Sequence, residues 1–465
     1  VDYNEFISGK LAASVPTGLD GPFDLPESLF PMQVDLVEWA LKRGRAAIFA
    51  DTGLGKSRMQ VAWADVVHRM TGLDVMILAP LAVAQQTVAE GAQIGVQITR
   101  CKEPGDVKPG INITNYDRVH KFDCSRFGVV VLDESSCIKH HTAKTLQILI
   151  ESFGHCQYKL CATATPAPND WTELGTHAEF LGICSRAEML AEYFVHDGGE
   201  TQTWRLKGHA RHLFWRWVAS WGAMIRKPSD LGYDDALYAL PPLNVFDHLV
   251  ETDEAKIADN GMLFSLEAST LSERREAKKA SLDNRVNALA SMVNDSAETW
   301  VIWCELNAEA DALRAAIHDA VEIRGPDDAD LKERRLAEFS AGNIRVLITK
   351  PSIAGWGLNW QHCCNTAFVG VTDSFEAYYQ AIRRFYRFGQ KNEVNVHRFT
   401  SQLERAVLGN LERKQADSIA MGESLAAETR AAVTAQIKGA SKATNAYNAA
   451  HKVKTPSWLV SEVAQ

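Results

Sequence analysis

Two short stretches carry the residue types that bind and cleave a phosphoanhydride. The first is Asp51-Thr52-Gly53-Leu54-Gly55-Lys56-Ser57, which follows the apolar run Ala46 to Ala50 and leads directly into a segment of helical spacing. In that order of strand, Gly-rich turn and helix, the Thr52 to Gly55 backbone can close its N–H groups around a β-phosphate, and the helix start adds the positive end of its dipole. Lys56 would reach the β and γ oxygens, and Ser57 would ligate Mg²⁺. The bland alternative is a Gly-rich turn that binds nothing. The second stretch is Val129-Val130-Val131-Leu132-Asp133-Glu134, an apolar strand ending in two acids where open α/β sheets place their ligands. Asp133 would hold the Mg²⁺, directly or through water, and Glu134 would orient or deprotonate the attacking water. Solvated acids at an ordinary strand end are the alternative. Together the two stretches predict a nucleoside triphosphatase.

A third stretch, Gln380 to Gln390, holds Arg383, Arg384 and Arg387. On a helix these would share one face, and a guanidinium offered across a cleft to a γ-phosphate stabilises the charge of phosphoryl transfer. An Arg-rich helix can equally be a solvated basic face.

The elements that must position these groups are legible as short apolar runs: Ala46 to Ala50, Val75 to Ala79, Ile111 to Thr114, Val129 to Leu132 and Lys159 to Ala162, then Trp300 to Cys304, Val346 to Thr349, Thr366 to Val371 and Val394 to Phe399. Segments of helical spacing lie between them, such as Met32 to Lys42, Ser57 to Met70 and Ala308 to Ile317. Continuously apolar strands alternating with amphipathic helices imply parallel sheets covered on both faces. The runs fall into two groups, so the expected fold is α/β with two lobes, a mostly helical connector and a helical C-terminal tail.

Composition sets outer bounds. The 465 residues carry 49 Lys plus Arg against 58 Asp plus Glu, a net charge of −9, with 46% hydrophobic residues. Roughly two to four globular domains fit that length, and general disorder is excluded. The acidic balance argues against coating nucleic acid by charge alone. No apolar run spans a membrane, no secretory signature opens the chain, and the nine scattered Cys form no Cys-x-x-Cys pair. A cytoplasmic protein of a bacterium or phage-infected cell is expected, with the cysteines packed as small hydrophobes.

The sequence then resembles a family: the superfamily-two helicase-like ATPases, and within them the SWI/SNF-type double-stranded DNA translocases. The resemblance covers roughly residues 29 to 403, in the family's order. Leu29 to Gln33 is similar to the adenine-reading segment, Ala50 to Ser57 to motif I, Ala79-Pro80-Leu81 to motif Ia and Ile113 to Asp117 to motif Ib. Asp133 to Lys139 stands for motif II and Thr163 to Pro166 for motif III. Trp300 to Cys304 resembles motif IV, Arg324-Gly325 the following turn, Ser352 to Asn359 motif V and Gln380 to Gln390 motif VI. Ser136 replaces the usual motif II His, so the link to motif III must run through a hydroxyl or a water.

The resemblance implies two RecA-like lobes that clamp ATP and Mg²⁺. Gln33 would read adenine, Gly357 joins the nucleotide-binding residues, Gln380 joins the catalytic ones, and Arg384 and Arg387 are the arginine fingers, with Arg383 an extra. Pro80, Thr114, Asn115, Gly325, Ser352 and Gly355 would grip nucleic-acid phosphates. The implied organisation is an N-terminal extension over 1–28, an ATP-binding lobe over 29–181, a connector over 182–280, a finger-bearing lobe over 281–405 and a tail over 406–465. The implied function is a monomeric, DNA-dependent ATPase that translocates on DNA, duplex favoured and RNA not excluded, and that remodels DNA or displaces bound protein. A strand-separating helicase and an ATP-switched scaffold are the alternatives.

Two segments could add charge. Trp204 to His212 with Trp215-Arg216-Trp217 interleaves cations and aromatics, a pattern that fits a nucleic-acid surface or an amphipathic helix with Phe214, Trp217 and Trp221 inward. Lys438 to Lys454 is a basic arm or a soluble end.

Overall fold

The computed structural model describes residues 16–80, 83–138, 144–167, 170–196, 204–251, 279–355, 358–371 and 374–437. The first lobe runs α1 (Pro31–Arg43), β1 (Arg45–Ala50), α2 (Lys56–Thr71), β2 (Asp74–Ala79), α3 (Ala84–Gln93), β3 (Ile98–Arg100), β4 (Ile111–Asn115), β5 (Phe127–Asp133), α4 (Lys144–Phe153) and β6 (Tyr158–Thr163). It continues through α5 (Leu174–Leu181), α6 (Arg186–Tyr193), the hairpin strands β7 (Phe194–His196) and β8 (Trp204–Leu206), α7 (Arg211–Ala219) and β9 (Gly222–Ile225). Its sheet has the order β3-β4-β2-β5-β6-β1-β9, all pairs parallel.

The second lobe runs β10 (Leu243–Val250), α8 (Leu282–Asn294), β11 (Trp300–Trp303), α9 (Asn307–Ala316), β12 (Ala320–Glu322), α10 (Ala329–Ser340) and β13 (Val346–Thr349). There follow α11 (Pro351–Ala354), β14 (Asn365–Phe368), α12 (Phe375–Ile382), β15 (Val394–Ser401) and α13 (Arg405–Ile437). The sheet order is β10-β15-β14-β11-β13-β12, again parallel throughout.

The central strands of both sheets are buried on two faces, successive residues pointing opposite ways into different clusters. In β1, Ile48 packs into one apolar cluster with Leu36 and Trp63, while Ala47 and Phe49 pack into another with Phe180 and Trp221. In β11, Val301 and Trp303 face a cluster with Trp360 and Phe385, and Trp300 and Ile302 face one with Leu289 and Leu313. That is the reason the strands read as unbroken apolar runs.

The connector expected over 182–280 holds the helices α6 and α7, and it also adds an edge strand to each sheet. Gly222–Ile225 pairs with β1 and Leu243–Val250 with β15. The first pairing satisfies the backbone along one side of β1, and the second covers the open edge of β15. Within α7 and the turn after it, Phe214, Trp215 and Trp221 are buried whereas Arg211, His212 and Arg216 are exposed, so these aromatics serve the core. Much of the charged stretch from Glu267 and the whole of Lys438 to Lys454 lie outside the described residues.

Helix α13 begins in the second lobe's core through Val407 and Leu411 and reaches the first lobe's core at Val433. Along the way Arg430 pairs with Asp230 at 2.7 Å and Glu423 with Arg226 at 3.6 Å. Among the described residues no helix is long and apolar enough to cross a membrane. All nine cysteines are free.

Candidate active site

The C-terminal ends of β1 and β5 open onto one cleft, which the turns after the C-terminal end of α12 close from the other side. The cavity between them has a volume of about 360 Å³. Thr52, Gly53, Gly55, Lys56, Ser57, Asp133 and Glu134 line it from the first lobe, and Arg384 and Arg387 from the second.

The Gly-rich turn is built for close approach. Gly53 and Gly55 have φ of +90° and +82°, a region that L side chains rarely adopt. A Cβ on Gly55 would collide with the Gln33 side chain, and one on Gly53 would stand 2.8 Å from the Phe388 backbone nitrogen. Helix α2 starts at Lys56, so its unpaired N–H groups and dipole end face the turn. Lys56 Nζ donates to Ala50 O at 2.9 Å and to Asp51 O at 3.3 Å. Burial pulls the Lys56 ammonium down, against the attraction of Glu134 and Asp51. Gln33 holds the turn from behind: its Nε2 donates to Leu54 O at 2.9 Å and its Oε1 accepts the Phe30 N–H at 3.0 Å.

The acid pair is held by α2 and β6. Gln60 Nε2 donates to Asp133 Oδ1 at 2.7 Å, and the Glu134 N–H donates to the same oxygen at 3.0 Å. Burial, then the neighbouring Glu134 carboxylate, holds the Asp133 carboxyl above the usual carboxylate range. Glu134 is the one non-Gly residue with positive φ among those described, at 51°, a backbone conformation of the kind that concentrates at functional sites.

A chain of hydrogen bonds then crosses the cleft. Thr163 Oγ1 donates to Glu134 Oε2 at 3.4 Å and accepts the Thr165 N–H at 3.2 Å. Gln380 Nε2 donates to Thr165 Oγ1 at 3.5 Å, and Gln380 Oε1 accepts from Arg384 Nη2 at 3.0 Å. The link expected through Ser136 therefore runs through the Thr163 hydroxyl, while the Ser136 hydroxyl is buried with no hydrogen-bond partner among the described residues. Ser135 Oγ instead meets His177 Nε2 at 3.1 Å, from α5. Burial drives that imidazole down to about 4, so it is neutral.

The arginines are not on a helix, as their spacing had suggested. Helix α12 ends at Ile382, and Arg383 to Gly389 form the turns that follow. Arg384 folds back to cap the helix end, with Nε on Gln380 O at 2.9 Å. Its Nη1 and that of Arg387 share Leu358 O at 3.3 and 3.1 Å. Arg384 is 1% exposed, so the solvated-face alternative does not describe it. Burial, and Arg387 beside it, pull it down to about 9.

These residues fit a nucleoside triphosphate with Mg²⁺. Among the described residues, Arg387 Nε and Asn359 Oδ1, from residues lining the cavity, lack hydrogen-bond partners, and the glycines leave a cradle that side chains would fill. Ser57 and Asp133 both line the cavity and would be the residues to hold Mg²⁺, which would neutralise phosphate charge there. Gly357 lies outside the described residues.

The residues expected to grip phosphates are less uniform. Pro80 and Asn115 end adjacent strands, and Ser352 and Gly325 are exposed on the second lobe. Thr114 departs from expectation: it is 2% exposed and its hydroxyl donates to Cys101 O at 2.8 Å, because its side chain turns into the sheet. Asn115 Oδ1 is spent capping the Arg118 N–H at 3.1 Å. Gly355 is buried, and a Cβ there would collide with Pro351 O. At the same edge Arg100 and Lys102 pair with Glu333 and Asp330 of α10.

No protein-family model matches the chain, and no curated protein matches it. Among solved structures it is similar to the Sulfolobus solfataricus SWI2/SNF2 ATPase core in complex with dsDNA, at 15% identity and a TM-score of 0.41, over 90% of this chain and 98% of that one. A likeness of that size leaves the function to be argued from the site.

Sequence reasoning missed Gln60, His177 and Tyr379, and gave Arg383 no role. Gln60 lies one turn inside α2 and was findable as a polar residue on the inner face of that helix. His177 and Tyr379 carried no signal short of the fold.

Proposed function

We propose that the chain is an ATP-hydrolysing motor on nucleic acid, with duplex DNA the favoured track. The observation that carries the reading is one cavity shared between a Gly-Lys-Ser turn with its acid pair and two arginines from a separate sheet. Lys56 and the turn would bind the phosphates, and Glu134 would orient the attacking water. Arg384 and Arg387 would meet the charge that grows on the γ-phosphoryl oxygens. Because the two halves of the site sit on different lobes, bound ATP favours their closure and its cleavage removes that preference. A lobe pair that also holds a phosphate backbone would convert this cycle into movement along it, with little sequence preference.

The test is ATP turnover with no nucleic acid, single-stranded DNA, duplex DNA and RNA at fixed salt, since phosphate contacts are salt-dependent. Stimulation by duplex DNA supports the reading, and stimulation by RNA or single strands alone redirects it to a helicase. If no nucleic acid changes the rate and Lys56→Ala leaves biological activity intact, the scaffold alternative holds.

A further inference from the structure

The second lobe also grips the first residue of the Gly-rich turn. Arg383 Nη2 lies 3.2 Å from Asp51 Oδ2, and Tyr379 Oη donates to Asp51 Oδ1 at 3.0 Å. The same Oδ1 accepts the Thr52 N–H at 2.6 Å. The guanidinium rests over the rings of Tyr379 and Tyr386, at 5.0 and 5.7 Å from their centroids, which adds cation–π attraction where water is scarce. Only 17% of the Arg383 side chain and 19% of the Asp51 side chain are exposed.

Asp51 is held on its other sides too. Its N–H donates to Ile225 O at 2.9 Å, and its carbonyl accepts from Lys56 Nζ at 3.3 Å. Burial alone would push the Asp51 carboxyl up, but Arg383, the Thr52 N–H, Lys56 and the Tyr379 hydroxyl outweigh it and hold it below the usual carboxylate range. The ion pair is therefore intact at neutral pH. Arg383 immediately precedes Arg384, so the grip on Asp51 and the aim of Arg384 are tied by one peptide unit.

We propose that Arg383, with Tyr379, is a positioning residue that clamps Asp51 and sets the register in which Arg384 and Arg387 face the Gly-rich turn. The shielded ion pair and its hydrogen bonds exist only while the lobes are together, so they add attraction to that arrangement and are lost when the lobes part. The clamp thus favours fully closed over partly closed lobes and keeps Arg384 from lying out of reach of the phosphates. The effect on turnover rests on the ATPase reading, whereas the effect on lobe separation does not.

The experiment uses the full chain as wild type, Arg383→Ala, Arg383→Lys, Asp51→Asn and the double variant Arg383→Ala with Asp51→Asn. Lobe separation is read without nucleotide, by energy transfer between dyes on non-natural residues at Met70 and Leu249, which are 47% and 57% exposed on opposite lobes. ATP turnover is read as kcat and KM. Arg383→Ala is expected to widen the separation and to lower kcat by roughly tenfold or more, with a smaller change in KM. Arg383→Lys should recover part of both, a rescue that a purely structural role would not give. The double variant should be no worse than the worse single variant, since both remove one contact. Wild-type separation in Arg383→Ala, or losses that multiply in the double variant, overturn the clamp. A wild type that turns over no ATP overturns the ATPase reading instead, and the separation measurements still decide the clamp.

Discussion

A Cβ on Gly53 would stand 2.8 Å from the backbone nitrogen of Phe388, so the Gly-rich turn of one lobe touches the arginine-bearing turn of the other. Phe388 completes this contact by packing its ring 6.1 Å from that of Phe30 and 5.1 Å from that of Tyr238. Gly53→Ala therefore adds backbone strain at a φ of +90° and pushes the two turns apart. A strain of about 1–2 kcal/mol, with the lobes displaced as well, should lower ATP turnover by at least about tenfold. Gly105→Ala, where a Cβ meets nothing within 4 Å, is the control and should match wild type in the same assay.

On the proposed reading, Glu134 and Lys56 should separate by kinetic signature. Glu134→Gln keeps the shape of the site but removes the charge that orients water, so turnover should fall by roughly 10²- to 10⁴-fold while nucleotide still binds. Lys56→Ala removes the phosphate contact itself and should weaken nucleotide binding as well. Titration with a fluorescent ATP analogue, alongside steady-state rates, distinguishes the two outcomes.

Arg384 and Arg387 line the cavity from the second lobe. Replacing either with Ala should lower kcat by about 10³-fold or more if it meets transition-state charge, with nucleotide affinity little changed. Gln380→Ala should give a smaller loss, because Gln380 meets Arg384 at 3.0 Å and Thr165 at 3.5 Å and does not line the cavity itself. Equal losses at all three positions would contradict that ranking.

His177 supplies a pH dependence of stability. Its imidazole is driven by burial from the ordinary 6.5 down to about 4, so the unfolded chain binds the extra proton between those values. Stability from the neutral ring is fully present above pH 6.5 and is lost as pH falls toward 4. For this completely buried group the loss is on the order of 3 kcal/mol. His177→Gln, which can still bond Ser135, removes the titration. Denaturant unfolding of both proteins from pH 7.5 to 4.5 should show the wild type losing the larger share of its stability.

Much of this architecture was legible in the sequence because buried parallel strands are continuously apolar. The runs at Val75 to Ala79, Val129 to Leu132 and Val346 to Thr349 all lie within observed strands. The strands that were missed are edge or three-residue pieces. Leu243–Val250 carries Asn244, Asp247 and His248 and leaves Phe246 and Leu249 exposed, so it lacked the apolar run of a central strand. The Gly-Lys-Ser turn and the acid pair were readable because their chemistry is fixed by local order. Contacts such as Asp51 with Arg383 and Ser135 with His177 join residues far apart in the chain, and no local pattern announces them. Thr114 was misjudged because its position at a strand end does not say which way its hydroxyl turns.

Helix α13 has one further consequence. Among the described residues the backbone passes from the first sheet to the second through 226–242, and α13 then carries it back onto the first. A body fastened to another at two separated places retains chiefly one freedom, rotation about the line that joins the fastenings. Opening and shutting should therefore follow a fixed arc, like a door on paired hinges.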